Sequence, residues 1–510
     1  MAEKKFLRIT EYIFFGIVAI VMLINVVLDN RVYYLYKNNC PVPNFVYVAV
    51  FAAAFLLFKY LVGSGKPIAK PAPAGWKVLI PIFIASALVL VFQLYYADNI
   101  YFMTGWDCKE LVSMAKVLAS GSGKIGDDHY FSLYPNNVFL TAIFAFIMNR
   151  LESGYSSLIY VGTIIVNVTG IFFADTVRMV TKRRSFVYIF FALYVILTGL
   201  SPWISIPYSD TYSIFFPIFA IWLYLKKNEK NMPYIWCLTA IVCFVGYFIK
   251  PTVLLTLMVL VFFEVVHFLA NLKGIEGKRK KIASFVIPLI AGTVVALLLR
   301  YGVEDMTGFT PDKTRSVTPI HYFMMGLNKE STGGYNQADV NLSFSHADVK
   351  ERNSEDFKEA MRRIKEMLPF KIVGFEAQKI LNNFNDGTFA WGHEGDFYWG
   401  YYQKDNDFAK TARSYVYHTG DNFGKFVAFM QCFWMGTLCL CMLVVIKPKE
   451  ADFKKNAIMM TMLAIMAFLT IFEARARYLY LYSPVIYLTA AIGLDRLIST
   501  KETKDESSNV

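Results

Sequence analysis

The sequence predicts an all-α polytopic membrane protein with about twelve transmembrane helices, juxtamembrane helices on the outer face and one large mixed extracytoplasmic segment. Hydrophobic residues make up 56% of its 510 residues, and they gather into long apolar runs that a water-soluble chain does not carry. The formal charge of +12 is spread over short basic clusters beside those runs. This distribution indicates membrane topology signals rather than a nucleic-acid surface, so we expect the lipid bilayer and no nucleic acid as a partner.

The length of each apolar run selects the predicted spans, because a bilayer core of about 30 Å is crossed by about 20 helical residues. The first run, which follows Lys4, Lys5 and Arg8, is too long for a secretory signal and lacks a small-residue cleavage site. We therefore interpret it as a retained span. The predicted spans are 11–29, 44–63, 77–96, 155–177, 186–203, 208–225, 233–249, 251–270, 282–301, 424–446, 456–472 and 478–496.

Basic clusters orient these spans, because Lys and Arg accumulate on the cytoplasmic side. This rule places both termini in the cytoplasm, provided that the apolar stretch Tyr134–Asn149 is an interfacial or re-entrant helix on the outer side. The alternative is a crossing there, with a missed or broken span elsewhere. The cytoplasmic clusters are Lys4/Lys5/Arg8, Lys66/Lys70/Lys77, Lys182/Arg183/Arg184, Lys226/Lys227/Lys230, 278–281 and Lys447/Lys449/Lys454/Lys455.

The chain divides into five predicted parts. Helical periodicity and Pro369 predict an amphipathic helix from Ser354 to Leu368, followed by a second amphipathic stretch, Phe370–Phe384, and a turn at 385–388. The parts are a two-span extension (1–76), a transmembrane core (77–301) with its first outer loop at 97–133, an extracytoplasmic segment (302–422), the last transmembrane helices (423–497) and a disordered cytoplasmic tail (498–510).

The predicted topology collects unusual polar residues at the outer face. A charge at bilayer depth costs roughly 2.5–3.5 kcal/mol, so such residues are paired, placed at the membrane surface or used in function. The motif Glu473-Ala-Arg475-Ala-Arg477 between the last two spans is the first candidate, and its alternative is an interfacial salt-bridge cluster with lipid headgroups. Lys250 at a hairpin turn is either a snorkelling lysine or a phosphate ligand.

Two aspartates have an alternative structural explanation as helix caps. Asp107 follows the third span in the first outer loop, ahead of a predicted helix, Lys109–Ala119, and Asp often caps such helices. Asp210 opens a later span, where it is either a cap or a contact to a sugar hydroxyl. Trp391 lies in an aromatic segment and either stacks on sugar or polyprenyl groups or anchors the chain at the interface.

The order of these motifs resembles the GT-C superfamily of polytopic glycosyltransferases, especially the protein O-mannosyltransferase and lipid A aminoarabinose transferase branch. The resemblance covers about residues 77–497. The chain departs from the family pattern in three places: the acidic pair is Asp107-Cys108, the double proline is Pro135-Asn136, and two extra spans precede the core. The matching positions are Asp107, Tyr134-Pro135, Asp210, Glu473, Arg475, Arg477 and Tyr478.

The resemblance implies an enzyme of the plasma membrane, in a bacterial envelope, with its active site on the extracytoplasmic face. The implied reaction moves a sugar from a polyprenyl-phosphate donor to an extracytoplasmic glycan or lipid, such as a cell-wall polymer, a glycolipid or a surface polysaccharide. Such a reaction needs a base for the acceptor hydroxyl and cations for the departing phosphate. We assign Asp107 as the base and Lys250, Arg475 and Arg477 as phosphate ligands. The supporting or substrate-binding residues are Glu473, which orients an arginine, Asp210, Tyr134, Tyr478 and Trp391.

No cofactor is expected, and a divalent metal is not favoured. The groups Asp127-Asp128-His129 and His393-Glu394-Gly-Asp396 contain oxygen and nitrogen ligands, but their spacing matches no standard metal site. Two other functions remain open. A polysaccharide polymerase or ligase needs the same arginines, and a lipid-linked sugar flippase or transporter is expected to show paired repeats with broken helices near the membrane midplane.

Overall fold

The computed structural model describes residues 2–28, 41–62, 76–152, 154–270, 278–312, 314–391, 398–446 and 452–508. These ranges are mainly helical. The α-helices are α1 Ala2–Val27, α2 Asn44–Val62, α3 Ile80–Asn99, α4 Trp106–Ala119, α5 His129–Leu133, α6 Asn137–Leu151, α7 Tyr155–Thr181, α8 Arg184–Tyr194, α9 Ser209–Ser213, α10 Phe215–Lys226, α11 Met232–Ile249, α12 Leu254–Ala270, α13 Lys278–Thr307, α14 Pro319–Met325, α15 Gln337–Phe344, α16 Val349–Met367, α17 Lys371–Phe384, α18 Asp407–Val416, α19 Phe423–Met442, α20 Phe453–Ile471 and α21 Tyr478–Ser508.

Nine helices within the described ranges are long and apolar enough to cross a membrane, so a membrane protein with many helical spans is confirmed, whereas the predicted count of twelve is not. The predicted span 44–63 is one helix, α2. The nine are Glu3–Val27, Trp76–Asn99, Tyr155–Thr181, Met232–Ile249, Pro251–Ala270, Arg279–Thr307, Phe423–Val445, Phe453–Ile471 and Tyr478–Ile498.

The predicted spans 186–203 and 208–225 are both interrupted. Helix α8 runs into a π-helical turn, Val195–Gly199, and then a 3₁₀ turn, Pro202–Ser205. Helices α9 and α10 are separated because Pro217 has no N–H to donate and its ring crowds the carbonyl of Ser213, four residues earlier. The interruptions bring the turn between α8 and α9 into the interior.

A short antiparallel sheet corrects the all-α prediction. Strand β1, Ile100–Thr104, pairs with β2, Tyr398–Gln403, and the rings of Tyr101 and Tyr402 stack with centroids 4.9 Å apart. Aromatic residues favour strands, but these two strands lie about 300 residues apart in the chain, so local sequence gives no signal of the pairing. The sheet fastens the first outer loop to the 302–422 segment.

Helix α6 occupies most of the stretch predicted to be interfacial. It packs against α4, α7, α11 and α13, and Leu140 and Phe144 are fully buried. Phe146 on the opposite side is exposed. Whether this helix crosses the membrane stays a prediction of the charge rule.

The 302–422 segment contains the predicted helices with small shifts. Helix α16 starts before Ser354, because Asp348 accepts hydrogen bonds from the backbone N–H groups of Lys350 and Glu351 at 2.8 and 3.1 Å. The predicted turn at 385–388 is present, with Asp386 Oδ1 accepting from Thr388 N at 2.7 Å. A small core between α14, α16 and α17 holds the segment together; it comprises Met324, Leu327, Ala360, Met367 and Phe375.

Helix α21 is the centre of the membrane part. Tyr480, Tyr482 and Tyr487 are fully buried, and Tyr482 Oη donates to the carbonyl of Thr252 at 2.7 Å. The Glu473–Arg477 motif directly precedes this helix, so the motif is fixed relative to the turn at Lys250.

Helix α21 extends to Ser508, so the structure shows residues 498–508 of the predicted tail as helix, and residues 509–510 lie outside the described residues. Adding a residue to an existing helix avoids the cost of nucleation, and the tail contains favourable helix formers such as Lys501 and Glu502.

Candidate active site

Four chain segments converge at the site. They are the start of α4 with Asp107, the start of α9 with its N-cap residue Tyr208 and with Asp210, the turn at Lys250 and the loop between α20 and α21. Each segment lies at the end of a helix. The site therefore depends on how the helices pack, because no single element contains it.

Asp107 lies in the first turn of α4 and is partly buried. The residue at the N-cap position is Gly105, so the explanation of Asp107 as a helix cap is wrong. Its Oδ2 accepts a hydrogen bond from Tyr208 Oη at 2.8 Å. Trp106, directly before it, has φ of 53°, a left-handed conformation that costs free energy for a non-glycine residue. The backbone is thus strained at the residue directly before the one that carries this carboxylate.

Tyr208 connects Asp107 to two cations. The Arg477 guanidinium carbon lies 5.0 Å from the centroid of the Tyr208 ring, and Lys250 Nζ lies 5.8 Å from it. Burial and then the charge of Asp107 raise the pKa of the Tyr208 phenol well above its usual value. The phenol therefore keeps its proton and acts as a hydrogen-bond donor.

Asp210 is the counterion of both cations. Its Oδ1 lies 3.1 Å from Lys250 Nζ and its Oδ2 lies 3.3 Å from Arg477 Nε. The cap position of α9 belongs to Tyr208, so Asp210 is not a cap. A carboxylate shared between two cations leaves one net positive charge.

Lys250 points into the protein, which contradicts the snorkelling alternative. Its exposed fraction is 8%, and its Nζ lies 4.0 Å from the centroid of the Tyr478 ring. Burial lowers the pKa of the Lys250 ammonium group, and the attraction of Asp210 opposes that effect.

Glu473 is held from two sides. Arg475 Nε donates to its Oε1 at 3.1 Å and Tyr478 Oη donates to its Oε2 at 3.0 Å. Glu473 thus pairs with Arg475, whereas Arg477 pairs with Asp210. The two arginines of one motif consequently have different counterions.

Further tyrosines surround Asp107 on the side of the first outer loop and the 302–422 segment. Burial, with the charge of Asp107, raises the pKa of the Tyr134 phenol and that of Tyr130, which also accepts from Asn137 Nδ2 at 2.7 Å. Burial, and to a smaller extent the charge of Asp107, also raises the pKa of the Tyr322 and Tyr335 phenols. Of these residues, sequence analysis selected only Tyr134. The close spacing of Tyr130 and Tyr134 in the sequence was the available signal for Tyr130.

Trp391 does not line the site. It is fully buried, its Nε1 donates to the carbonyl of Val416 at 2.7 Å, and its ring packs edge-on against Phe102 and Trp203. Stacking of Trp391 on a substrate is therefore incompatible with this packing. Its contribution is to support Trp203, whose ring centroid lies 5.9 Å from the Arg477 guanidinium carbon.

Lys379 was missed by sequence analysis because it lies within an amphipathic helix, where a lysine normally belongs to the solvated face. Its side chain is fully buried, and Nζ donates to the carbonyls of Gly326 and Thr470, both at 2.7 Å. Next to this contact, Ala474 N donates to the carbonyl of Gly333 at 2.7 Å. These bonds hold the loop after α14 against the segment that carries Glu473.

Among the described residues, no group of three or more His, Cys, Asp or Glu side chains is arranged to hold a metal ion. Asp128 Oδ1 accepts from the backbone N–H groups of Tyr130 and Phe131 and thereby caps α5. His393, Glu394 and Asp396 lie outside the described residues, as do the basic residues Lys66, Lys70, Lys447 and Lys449.

Residues 5–498 match a protein family described as conserved hypothetical integral membrane protein. The chain belongs to this family. Its membership, together with the nine long apolar helices in the described ranges, establishes a multi-pass integral membrane protein. The family description names no activity.

No curated protein matches the chain. Among solved structures, the archaeal oligosaccharyltransferase AglB from Archaeoglobus fulgidus, in complex with an inhibitory peptide and a dolichol-phosphate, is similar to it with a TM-score of 0.38 and 12% identity. The alignment covers 84% of this chain and 52% of AglB, so this protein spans about half the length of that structure. A likeness of this size supports no functional argument.

Proposed function

We propose that this integral membrane protein is a glycosyltransferase that moves a sugar from a polyprenyl-phosphate donor to a hydroxyl group of an extracytoplasmic glycan or lipid. One observation supports this proposal above the others. The Tyr208 side chain donates to a carboxylate, Asp107, while two cations, Lys250 and Arg477, lie near its ring. A carboxylate and two cations thus lie close together, an arrangement that suits the base and the phosphate-binding groups that displacement at a sugar phosphate requires.

The reaction assigns one event to each group. Asp107 accepts the proton of the acceptor hydroxyl as its oxygen bonds to the anomeric carbon of the donor sugar. The bond between that carbon and the phosphate oxygen breaks, and its electron pair stays on the departing polyprenyl phosphate. The phosphate gains one negative charge, which Lys250 and Arg477 stabilise.

Glu473 and Arg475 form the second part of the phosphate site. A guanidinium offers parallel N–H donors that suit two phosphate oxygens, and its orientation determines whether both reach. Glu473 accepts from Arg475 Nε and fixes that orientation, while Tyr478 holds Glu473 from the other side. The site contains three carboxylates and three cations, whose formal charges cancel. An approaching phosphate group would therefore meet a cluster without net negative charge.

A flippase is the competing class, and the interrupted helices α8 to α10 are the feature that such a protein would need. Asp210 lies in α9, within these interrupted helices. The other ionisable residues of the site lie outside them: Asp107 in α4, Lys250 between α11 and α12, and Glu473, Arg475 and Arg477 in the loop before α21.

The test is transfer of radiolabelled sugar from a polyprenyl phosphate to acceptors in purified membranes. Asp107→Asn keeps the shape of the side chain but removes its basicity, so we expect transfer to fall about 10²- to 10⁴-fold. Asp127→Asn changes an exposed aspartate of the same outer loop and serves as the matched control. Equal transfer by the two variants would exclude Asp107 as the base. Donor lipid that crosses the bilayer without sugar transfer would identify a flippase.

A further inference from the structure

The carboxylate of Asp107 receives hydrogen bonds from two phenols. Tyr208 Oη donates to its Oδ2 at 2.8 Å. Tyr130 is also hydrogen-bonded to Asp107, and this bond, after burial and the charge of the carboxylate, helps to raise the pKa of the Tyr130 phenol well above its usual value. A hydrogen bond that raises the pKa of a phenol stabilises its protonated form, so the phenol is the donor. Tyr130 is therefore a second donor to Asp107.

Asn137 determines the direction of the Tyr130 bond. Its Nδ2 donates to Tyr130 Oη at 2.7 Å, and this bond acts to lower the pKa of the phenol, as expected when the phenol oxygen accepts. An amide nitrogen only donates and a phenol has one hydrogen, so the hydrogen of Tyr130 is left for Asp107. The Asn137 amide is held in turn by Asn136, whose Nδ2 donates to Asn137 Oδ1 at 3.0 Å. The bonds thus run in one direction, from Asn136 to Asp107.

Two consecutive turns bring Asn137 back to Tyr130. Tyr134 N donates to the carbonyl of Tyr130 at 3.0 Å, and Asn137 N donates to that of Tyr134 at 3.0 Å. Pro135 occupies the second position of the latter turn, where its fixed φ is favourable. Asn136 follows at the position where the GT-C pattern has a second proline, which offers no side-chain donor. The amide chain is therefore a feature of this sequence rather than of that pattern.

We propose that Asn137, acting through Tyr130, is a positioning residue for Asp107. The role rests on the proposed function, in which Asp107 accepts the proton of the acceptor hydroxyl. Two donated hydrogens hold the carboxylate in place and favour its ionised form, which is the form that accepts a proton. Because Asn137 directs the hydrogen of Tyr130, replacing this asparagine weakens the bond to Asp107 without changing any group that contacts the carboxylate.

The other ionisable groups around Asp107 stay unchanged in such variants. Lys109 and Glu110, on the same helix, are exposed. The cations Lys250 and Arg477 lie beside the Tyr208 ring and pair with Asp210. The other phenols on which the charge of Asp107 acts are Tyr134, Tyr208, Tyr322 and Tyr335. A change in the protonation of Asp107 is thus attributable to the Tyr130 bond.

Dicyclohexylcarbodiimide reports the protonation of Asp107 without any sugar transfer, because it reacts with protonated carboxyl groups. We would treat the full chain in detergent near pH 6.5 and quantify the adduct at Asp107 by mass spectrometry of the digested protein. The variants are Tyr130→Phe, Asn137→Leu and the double variant. Asn149→Leu changes an exposed asparagine of the same helix α6 and is the matched control. The exposed Asp127 is the internal reference in each sample.

We expect Tyr130→Phe to raise the labelling rate of Asp107 roughly tenfold and Asn137→Leu roughly threefold, because loss of a donated hydrogen favours the protonated carboxyl. The double variant should be labelled no faster than Tyr130→Phe, since Asn137 acts only through the phenol. A rate for either single variant equal to that of Asn149→Leu, or factors that multiply in the double variant, would overturn the proposal.

A more accessible carboxylate would also be labelled faster, and acidic pH separates this effect from a change in protonation. At a pH low enough to protonate Asp107 in every variant, we expect the rates to become equal. A difference that persists there would show altered access and overturn the proposal. Size-exclusion chromatography of each variant checks that the protein is folded.

Transfer assays separate this inference from the proposed function. A wild-type protein that moves no sugar would refute the proposed function, while labelling would still decide whether Asn137 directs a bond to Asp107. Where the wild type transfers sugar, we expect Tyr130→Phe to lose several-fold more transfer near pH 6 than near pH 8, because more of Asp107 is protonated at the lower pH. An equal loss at both pH values would indicate distortion of the site and overturn the positioning role.

Discussion

Asp210 forms an ion pair with both Lys250 and Arg477. In the proposed reaction, a donor phosphate that approaches these cations would find them already oriented, so their side chains would lose little conformational freedom on binding. The same arrangement makes the carboxylate indispensable, since removing one partner of a buried ion pair costs about 3–5 kcal/mol.

Substitution of the arginines by lysine tests their role at the donor phosphate. Arg475→Lys or Arg477→Lys is expected to raise the donor KM, because an ammonium group cannot form two parallel hydrogen bonds, and to lower kcat where the contact strengthens as charge develops. Glu473→Gln is expected to show a weaker version of the Arg475 effect. Donor titration at saturating acceptor measures both constants. Unchanged kinetics with a large fall in thermal stability in detergent would instead indicate an interfacial salt-bridge cluster.

The buried ammonium group of Lys379 should make the free energy of unfolding depend on pH. Burial lowers its pKa from 10.5 to about 8, so between about pH 8 and 10.5 the unfolded chain binds a proton that the folded chain has released. The free energy of unfolding therefore rises with pH across this window relative to that of Lys379→Met, and the difference is constant below it. Denaturation in detergent at pH 7.5 and pH 10 measures this, with Lys371→Met, an exposed lysine of the same helix, as control. A difference that does not change with pH would contradict it.

At the scale of elements, the π-helical turn Val195–Gly199 accepts a hydrogen bond from a side chain of another helix. Gln93 of α3 donates through Nε2 to the carbonyl of Gly199 and also contacts Asn167 of α7. The π-helical turn interrupts the regular helix that begins with α8, shortly before the turn that carries Tyr208. Gln93 therefore links the packing of α3 and α7 to the position of the site.

Replacing this glutamine tests the link. Gln93→Leu leaves a buried carbonyl without this donor, so we expect the protein to lose about 1–3 kcal/mol of stability. Transfer activity is expected to fall more than for Phe92→Leu, a change on the exposed side of the same helix. Thermal unfolding and transfer assays on both variants provide the comparison. Similar values for the two would show that the π-turn holds itself in place.

Elements that local sequence patterns specify were predicted correctly. Elements that depend on pairing between distant residues were not. The periodic apolar residues of α16 and the turn at Asp386 act within a few residues, so the sequence indicates them. Strands β1 and β2 pair over about 300 residues, and no local signal marks either partner. Within the site, Glu473 and Arg475 are neighbours in sequence, whereas the ion pairs of Asp210 form only after three segments have packed.

At the scale of the whole molecule, cysteine labelling tests the predicted orientation. Single cysteines at Lys329 and Lys280 are suitable because both positions are exposed, unlike Asp210 and Ala474, which are buried. We expect an impermeant maleimide added to intact cells to label the cysteine at 329 and to leave that at 280 unmodified. The cysteine at 280 should react once the cells are permeabilised. Labelling at 280 in intact cells would reverse the topology and place the candidate site in the cytoplasm.

The pairing of β1 with β2 also determines when the site is completed during synthesis. Asp107 and Arg477 are separated by about 370 residues, which a ribosome needs about 20–75 s to make at about 5–20 residues per second. At the start of that interval α3 and the first outer loop are already made, whereas the strand β2 and Arg477 are not. The nascent protein consequently carries Asp107 on an unfastened loop until β2 has been translated, and it lacks Arg477 until just before its last helix. A chain released before β2 would retain most of its membrane helices and present an open loop to the quality-control proteases of the membrane.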